Sequence, residues 1–330
     1  MNPEINRREF LSTSTALAAG LGVGFGVGSG ASKVSAAESS FKTRLHKALI
    51  LKQPTEEDLT KLKEAGFEGV EGGIISPQEA EKCRAIADKL GMRIHSVLRG
   101  WADFNSPDES KVQGSLETSE AALAAAHAFG ADSILLVPCR VSGVKMPRPW
   151  EFLIEFDHQT GHVSQVAYGD NAPYAEYIQA QNRAIDTSRE AVKRLIPLAE
   201  KLGVIIALEN VWNNLWVKPA LFKHFVDSFQ SPWVRAYFDI GNHVKYAPPE
   251  EWILTLGKLI IKCHVKDFKL DPSDAGGGGK FVDIRDGSIR WPIVRSALDE
   301  VGYNGWMTIE GGSLSRQEHS HRLDQILAGE

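Results

Sequence analysis

The sequence predicts an α/β fold: a (β/α)8 TIM barrel with a β-hairpin-like insertion after its fourth strand. Three observations point to it. Short runs rich in Val, Ile and Leu recur eight times along the chain, as strands buried on both faces require. Between them lie longer segments of helical periodicity, many closed by a glycine. No Gly-x-Gly-x-x-Gly follows the first run, which argues against an open dinucleotide-binding sheet.

The apolar runs fall at 47–51, 69–72, 93–97, 133–138, 204–209, 234–239, 260–265 and 306–310. Alternation with helices makes them parallel, and eight repeats favour closure. Segments 55–65 and 77–90 carry Glu and Lys on one face and Leu, Ala or Ile on the other. Gly66, Gly91, Gly130 and Gly203 stand where helices should end. The stretch 140–177 is long for a strand-to-helix connection. Inside it, 150–156 and 163–168 are strand-like around a polar turn, which predicts the hairpin. It serves as a lid, as a subunit contact in a homo-oligomer, or as decoration without a role.

The chain divides into a leader, 1–37, and the barrel, 38–330. The leader opens with Arg7, Arg8, Glu9, Phe10 and Leu11, continues through a weakly apolar Ala/Gly run, and ends in the small residues Val34, Ser35, Ala36 and Ala37. This resembles a twin-arginine signal peptide, which predicts export to the periplasm and no stable membrane association after cleavage. A disordered tail with a chance Arg pair is the alternative. With 43% hydrophobic and 24% charged residues the composition is that of an ordinary globular protein. A net charge of −5 leaves no basic footprint for nucleic acid or an anionic membrane surface. Cys83, Cys139 and Cys263 are too few and too widely spaced for a disulfide framework.

Active sites of such barrels form at the C-terminal strand ends. There the sequence puts Glu209 on the fifth run, Asp239 on the sixth, His264 on the seventh and Glu310 on the eighth. Each alone reads as a helix cap or a core residue. Together they place three carboxylates and an imidazole at one level, which is costly to bury without a cation. The donor set suits one divalent ion, Mn²⁺ first, then Mg²⁺ or Co²⁺, and suits structural zinc less well.

Several segments resemble the sugar-phosphate isomerase/epimerase superfamily of xylose isomerase-like barrels. They are Gly66-Phe67-Glu68-Gly69-Val70-Glu71, Ile94-His95-Ser96, Leu208-Glu209-Asn210-Val211-Trp212, Phe238-Asp239-Ile240-Gly241-Asn242, His264-Val265-Lys266-Asp267 and Thr308-Ile309-Glu310. The superfamily includes ketose 3-epimerases, L-xylulose 5-phosphate 3-epimerases and hydroxypyruvate isomerases. The resemblance implies that Glu209, Asp239, His264 and Glu310 hold the metal and that Glu209 and Glu310 are the catalytic acid and base. It also marks departures. Asn242, followed by His243, stands where a substrate-binding His is usual, and Leu270 replaces an Arg, with Lys266 and Lys269 nearby. A usual acidic Gly-Glu-Gly turn reads Arg285-Asp286-Gly287. Substrate-binding candidates are therefore His95 at the end of the third run, Asn242, His243, Lys266 and Trp212, with Trp101 and Trp216 as further top-face indoles. Glu71 is a candidate to support the ligands from behind.

The implied chemistry is metal-dependent isomerisation or epimerisation of a small-molecule sugar. A proton is abstracted next to a carbonyl, and the ion stabilises the enediolate. Elimination by a lyase or dehydratase on a keto-sugar or keto-glycoside uses the same site. An endonuclease IV-like enzyme would need more His ligands, and a non-catalytic sugar-binding barrel would not need all four.

Overall fold

The computed structural model describes residues 41–274 and 277–330. Residues 1–37, with the leader motif, lie outside the described residues. Eight strands close a parallel barrel: β1 (His46–Ile50), β2 (Gly69–Gly72), β3 (Arg93–Trp101), β4 (Ser133–Val137), β7 (Ile205–Glu209), β8 (Val234–Asp239), β9 (Ile260–Val265) and β12 (Trp306–Ile309). Around the barrel they run β1, β12, β9, β8, β7, β4, β3, β2, so chain order is barrel order. The helices are α1 (Glu56–Glu64), α2 (Pro77–Leu90), α3 (Glu109–Phe129), α4 (Ala175–Leu202), α5 (Pro219–Asp227), α6 (Pro249–Leu256), α7 (Trp291–Glu300) and α8 (Arg316–Ala328).

Local sequence accounts for the helix ends. Thr55 caps α1, and Ser76 with Glu79 forms a capping box on α2, with Pro77 at its first position. Gly91, Gly130 and Gly203 end α2, α3 and α4 in the left-handed conformation. Apolar stripes such as Leu59 and Leu62 of α1, and Ile185, Val192 and Leu195 of α4, are buried against the barrel wall. Each such side chain contributes about 1.5–3 kcal/mol.

Strand alternation sorts the side chains. On β8, Phe238 joins the outer core under the helices, whereas Tyr237 joins a separate small cluster with Leu135, Val137 and Ala207 inside the barrel. The same alternation turns Cys263 and Val265, Met307 and Ile309, and Leu208 outward. It thereby turns His264, Thr308 and Glu209 inward.

The hairpin insertion exists as an antiparallel pair, β5 (Phe152–Phe156) and β6 (Val163–Ala167). Residues 149–151, at the edge of the expected strand, form a 3-10 turn set by Pro149. A second ribbon escapes the sequence pattern: β10 (Asp267–Leu270) pairs antiparallel with β11 (Gly279–Val282) directly after β9. Gly279 enters the ribbon at φ 139°, where a Cβ would come within 2.0 Å of the Lys269 carbonyl oxygen. The third strand also runs past 97 to Trp101. Its pairing with β2 shifts by one residue, so that Val70 faces Ile94 but Glu71 faces Ser96, with His95 as the extra residue of a bulge.

Candidate metal centre

Register brings the four candidate ligands to one level. Asp239 pairs with His264 across β8 and β9, Thr308 pairs with His264 across β12 and β9, and the Glu310 amide closes the next rung on the Val265 carbonyl. Glu209 ends β7 beside Tyr237. One ligand atom from each of Glu209, Asp239, His264 and Glu310 lies within 4.8 Å of all the others. Donors on opposite sides of an ion at about 2.1–2.4 Å are separated by about that distance.

Each ligand is aimed by its neighbours. Asp239 Oδ1 accepts the amides of Gly241 (2.8 Å) and Asn242 (2.7 Å), which leaves Oδ2 free to face inward. Asn210 clamps the Asp239 backbone, accepting its amide at 2.6 Å and donating to its carbonyl at 2.9 Å. Asn242 Nδ2 donates to Glu209 Oε1 at 3.4 Å. His264 Nε2 meets Glu71 Oε2 at 2.7 Å, so Nδ1 points the other way. That Nδ1 stands 2.7 Å from Glu310 Oε2, 3.4 Å from Glu209 Oε1 and 3.9 Å from Asp239 Oδ2.

Asp239 Oδ2, His264 Nδ1 and Glu310 Oε2 are buried and crowd together, offset among the described residues by their ion pairs with one another and with Lys266. They share one small buried space with Glu209. Carboxylates buried so close together are costly unless a cation offsets their charge. The residues present therefore fit a divalent cation held by three carboxylates and one imidazole.

Lys266 brings a positive charge here. Lys266 Nζ lies 2.9 Å from Glu310 Oε2, 3.2 Å from Asp239 Oδ2 and 3.2 Å from Asn242 Oδ1. Gly241 allows this, because a Cβ there would come within 2.6 Å of Lys266 Cγ. Burial drives the Asp239 carboxyl up to about 7, with Lys266 opposing and Glu310 and Glu209 reinforcing. Burial raises Glu209 as well, with His264 pulling against it. Burial acts the same way on Glu310, but His264 and Lys266 outweigh it and hold that carboxyl well below its usual range. Burial disfavours a charged His264 ring, yet Glu71, Glu310 and Glu209 drive its pKa well above the ordinary value.

The substrate-binding candidates fare differently. Asn242 and Lys266 stand at the centre, touching Glu209 and Glu310 respectively. His95 does not lie at the end of its strand. It is fully buried in the bulge of β3, bonded to Thr308 Oγ1 at 3.0 Å and stacked on Trp306. His243 is buried as well: its Nδ1 meets the backbone of Asn210 at 3.1 Å, and its ring packs on Trp252 and Tyr246. Trp212 sits at the rim, its indole N–H on the Asn242 carbonyl. The Lys245 ammonium covers its ring at 3.3 Å, and Phe281 of the second ribbon packs against it. Trp216 is wholly buried against Phe222 and Phe225, a core residue, whereas Trp101 is exposed under the Arg140 guanidinium.

Three supporting residues carry weaker signals in the sequence. Asn210 follows a ligand directly and so is suggested by position. Ser96 donates to Glu71 at 2.7 Å only because of the bulge. Asp267 gathers the amides of Phe268, Arg285 and Gly287 with the Trp291 indole, and so folds the turn that departs from the acidic pattern. Gly287 is obligatory there, since a Cβ would come within 2.0 Å of Asp267 Oδ1.

A model of the family described as xylose isomerase-like TIM barrel matches residues 59–325. An uncharacterised protein of Methanocaldococcus jannaschii is 26% identical over 136 residues, 39% of this chain and 44% of that protein, so the chain spans under half the length of this relative. Among solved structures, a D-tagatose 3-epimerase-like protein superposes with a TM-score of 0.65 at 19% identity, covering 86% of this chain and 97% of that one. A 3-keto-D-glucoside 4-epimerase from E. coli gives 0.64 at 13% identity, with 86% and 99% covered. An L-ribulose 3-epimerase gives 0.63 at 14% identity, with 86% and 94% covered. At these identities the structures share the fold.

Proposed function

The chain belongs to the xylose isomerase-like TIM barrel family, and we propose that it is a metal-dependent sugar epimerase that moves a proton on a carbon next to a carbonyl. The observation that carries this is the convergence of buried ligand atoms of Asp239, His264 and Glu310 with Glu209 within 4.8 Å. A divalent ion held there, Mn²⁺ by preference, supplies Lewis-acid polarisation of the carbonyl oxygen.

The chain's own residues do the rest. Glu209 ends β7 and Glu310 follows β12, with β8 and β9 between them, so the two carboxylates approach the site from separate flanks. One glutamate removes the proton and the other returns it from the opposite side, which supports epimerisation over proton transfer along one face. Lys266 holds the Glu310 carboxylate and balances charge. Asn242 bridges Glu209 and Lys266 and is placed to bond a sugar hydroxyl. Solved epimerases of this fold act on a 3-keto-glucoside and on free ketoses, which supports the same substrate class here.

An unphosphorylated sugar is the favoured substrate. Barrels of this architecture often take a phosphate in the loop leading to the last helix. In this chain the Ser313 amide and hydroxyl in that loop are both taken by Asp283, each at 2.7 Å. Export through the proposed leader would present free sugars and glycosides.

The test is turnover in D₂O with Mn²⁺ against free ketoses, keto-glycosides and their phosphates, followed by proton NMR. Deuterium at a single inverted carbon of a free sugar or glycoside is expected. An unsaturated product would replace the epimerase by a lyase, and activity insensitive to chelators would end the metal-dependent reading.

A further inference from the structure

Glu71 is not one of the four ligands, yet its carboxylate is fully buried. Burying a carboxylate costs several kcal/mol unless it is paired and hydrogen-bonded. Glu71 Oε2 meets His264 Nε2 at 2.7 Å, and Oε1 accepts from Ser96 Oγ at 2.7 Å. Among the described residues His264 is its only ion-pair partner. The contact joins β2 to β9, strands separated in the barrel by β1 and β12. It therefore crosses the interior and is not a by-product of neighbouring pairing.

We propose that Glu71 is a positioning residue for the metal centre, holding His264 with its proton on Nε2 and its Nδ1 lone pair toward the ion, and that the β3 bulge exists to supply Ser96 to Glu71. This rests on the reading of the four side chains as a metal site. Three physical points carry it. An imidazole offers a metal only one lone pair, and the bond at its other nitrogen decides which. Rotation about the last torsion of a His side chain is soft, so the ring needs partners to hold its plane. Tyr237 tilts against one face at 4.5 Å between centroids, and Glu71 supplies the in-plane hold that a ring contact cannot. The bulge completes the chain: Val70 faces Ile94, but Glu71 faces Ser96 in place of His95, whose ring turns instead to Thr308 and Trp306. Regular pairing would have set His95 beside Glu71 and left its second oxygen without the serine.

The test compares the wild-type protein with Glu71→Gln, which preserves shape and loses charge, and with Ser96→Ala. Mn²⁺ affinity is measured by calorimetry, and the His264 side-chain N–H is followed by ¹⁵N NMR in the metal-free protein. Glu71→Gln is expected to weaken Mn²⁺ binding by about 10–100-fold with an unchanged circular dichroism spectrum, and Ser96→Ala by less. The metal-free wild type should show a downfield, slowly exchanging His264 Nε2–H that is lost in Glu71→Gln. Mn²⁺ uptake unaffected by Glu71→Gln overturns the role of Glu71 alone. A wild-type protein that binds no Mn²⁺, with a His264 signal that still answers to Glu71→Gln, overturns the metal site and this role with it. If Glu71→Gln fails to fold, Ser96→Ala decides: unchanged affinity together with an unchanged His264 signal contradicts the chain from serine to histidine.

Discussion

His264 and His95 are both wholly buried inside the same barrel, and their surroundings shift their pKa values in opposite directions. His264 lies among Glu71, Glu209 and Glu310, which raise its pKa far above that of a free imidazole. His95 has no carboxylate against its ring. Burial lowers its pKa well below the ordinary value, and the charges of Lys262, His264 and Arg93 push further the same way. Thr308 joins the two levels, paired with His264 along β12 and bonded to His95 through its hydroxyl. Burial alone therefore says nothing about the use of a histidine, whereas the sign of its neighbours does. The acidic level around His264 gathers carboxylates from several strands, and the level around His95, packed on Trp306 and Thr308, is the floor.

The largest consequence concerns the upper level. Glu209→Gln and Glu310→Gln should each lower turnover on the order of 10³-fold or more, with the circular dichroism spectrum unchanged. Full activity in either variant would remove that glutamate from the chemistry and blur the contrast between the two levels.

The floor should answer in stability and not in rate. His95→Asn removes the stacking on Trp306 and disturbs the bond to Thr308, at a cost of about 1–3 kcal/mol in unfolding free energy. Turnover at saturating sugar and metal should stay within a few-fold of wild type. A loss as deep as that of the glutamate variants would put His95 back among the functional residues.

The smallest effect is a slope. His243 is buried and pushed down to about 3, first by burial and then by Lys245. Its pKa in the unfolded chain is about 6.5. Between those values the unfolded chain binds a proton that the folded one refuses. Stability is thus lost as pH falls from about 6.5 towards 3, and this group adds no pH dependence above that window. His243 contributes at most about 1.4 kcal/mol per pH unit. Denaturant melts of the metal-free protein should show that slope, and His243→Asn should make it shallower. An equal slope in the variant would mean that His243 already carries a proton when folded.

Much of the barrel was legible because buried parallel strands and capped helices leave local marks. The runs at 69–72, 234–239 and 260–265 coincide with strands, and Thr55, Ser76 and Gly91 bound helices as their chemistry requires. The convergence of Glu209, Asp239, His264 and Glu310 was legible for a related reason, since in a closed parallel barrel equal position on successive strands means proximity. What did not show in the pattern depends on register and long-range contact. A one-residue bulge turned His95 to Thr308 and put Ser96 beside Glu71. Trp216 follows a strand in sequence but packs into the outer core, and the ribbon of β10 and β11 hides behind a Gly-rich run.

Diffraction from crystals soaked in Mn²⁺, collected at the manganese absorption edge, tests the central claim most directly. One anomalous peak is predicted, within about 2.0–2.4 Å of a carboxylate oxygen of Glu209, of Asp239 Oδ2, of His264 Nδ1 and of a Glu310 oxygen. A peak elsewhere, or none there while the Lys266 ammonium keeps its place between Asp239 and Glu310, would contradict it.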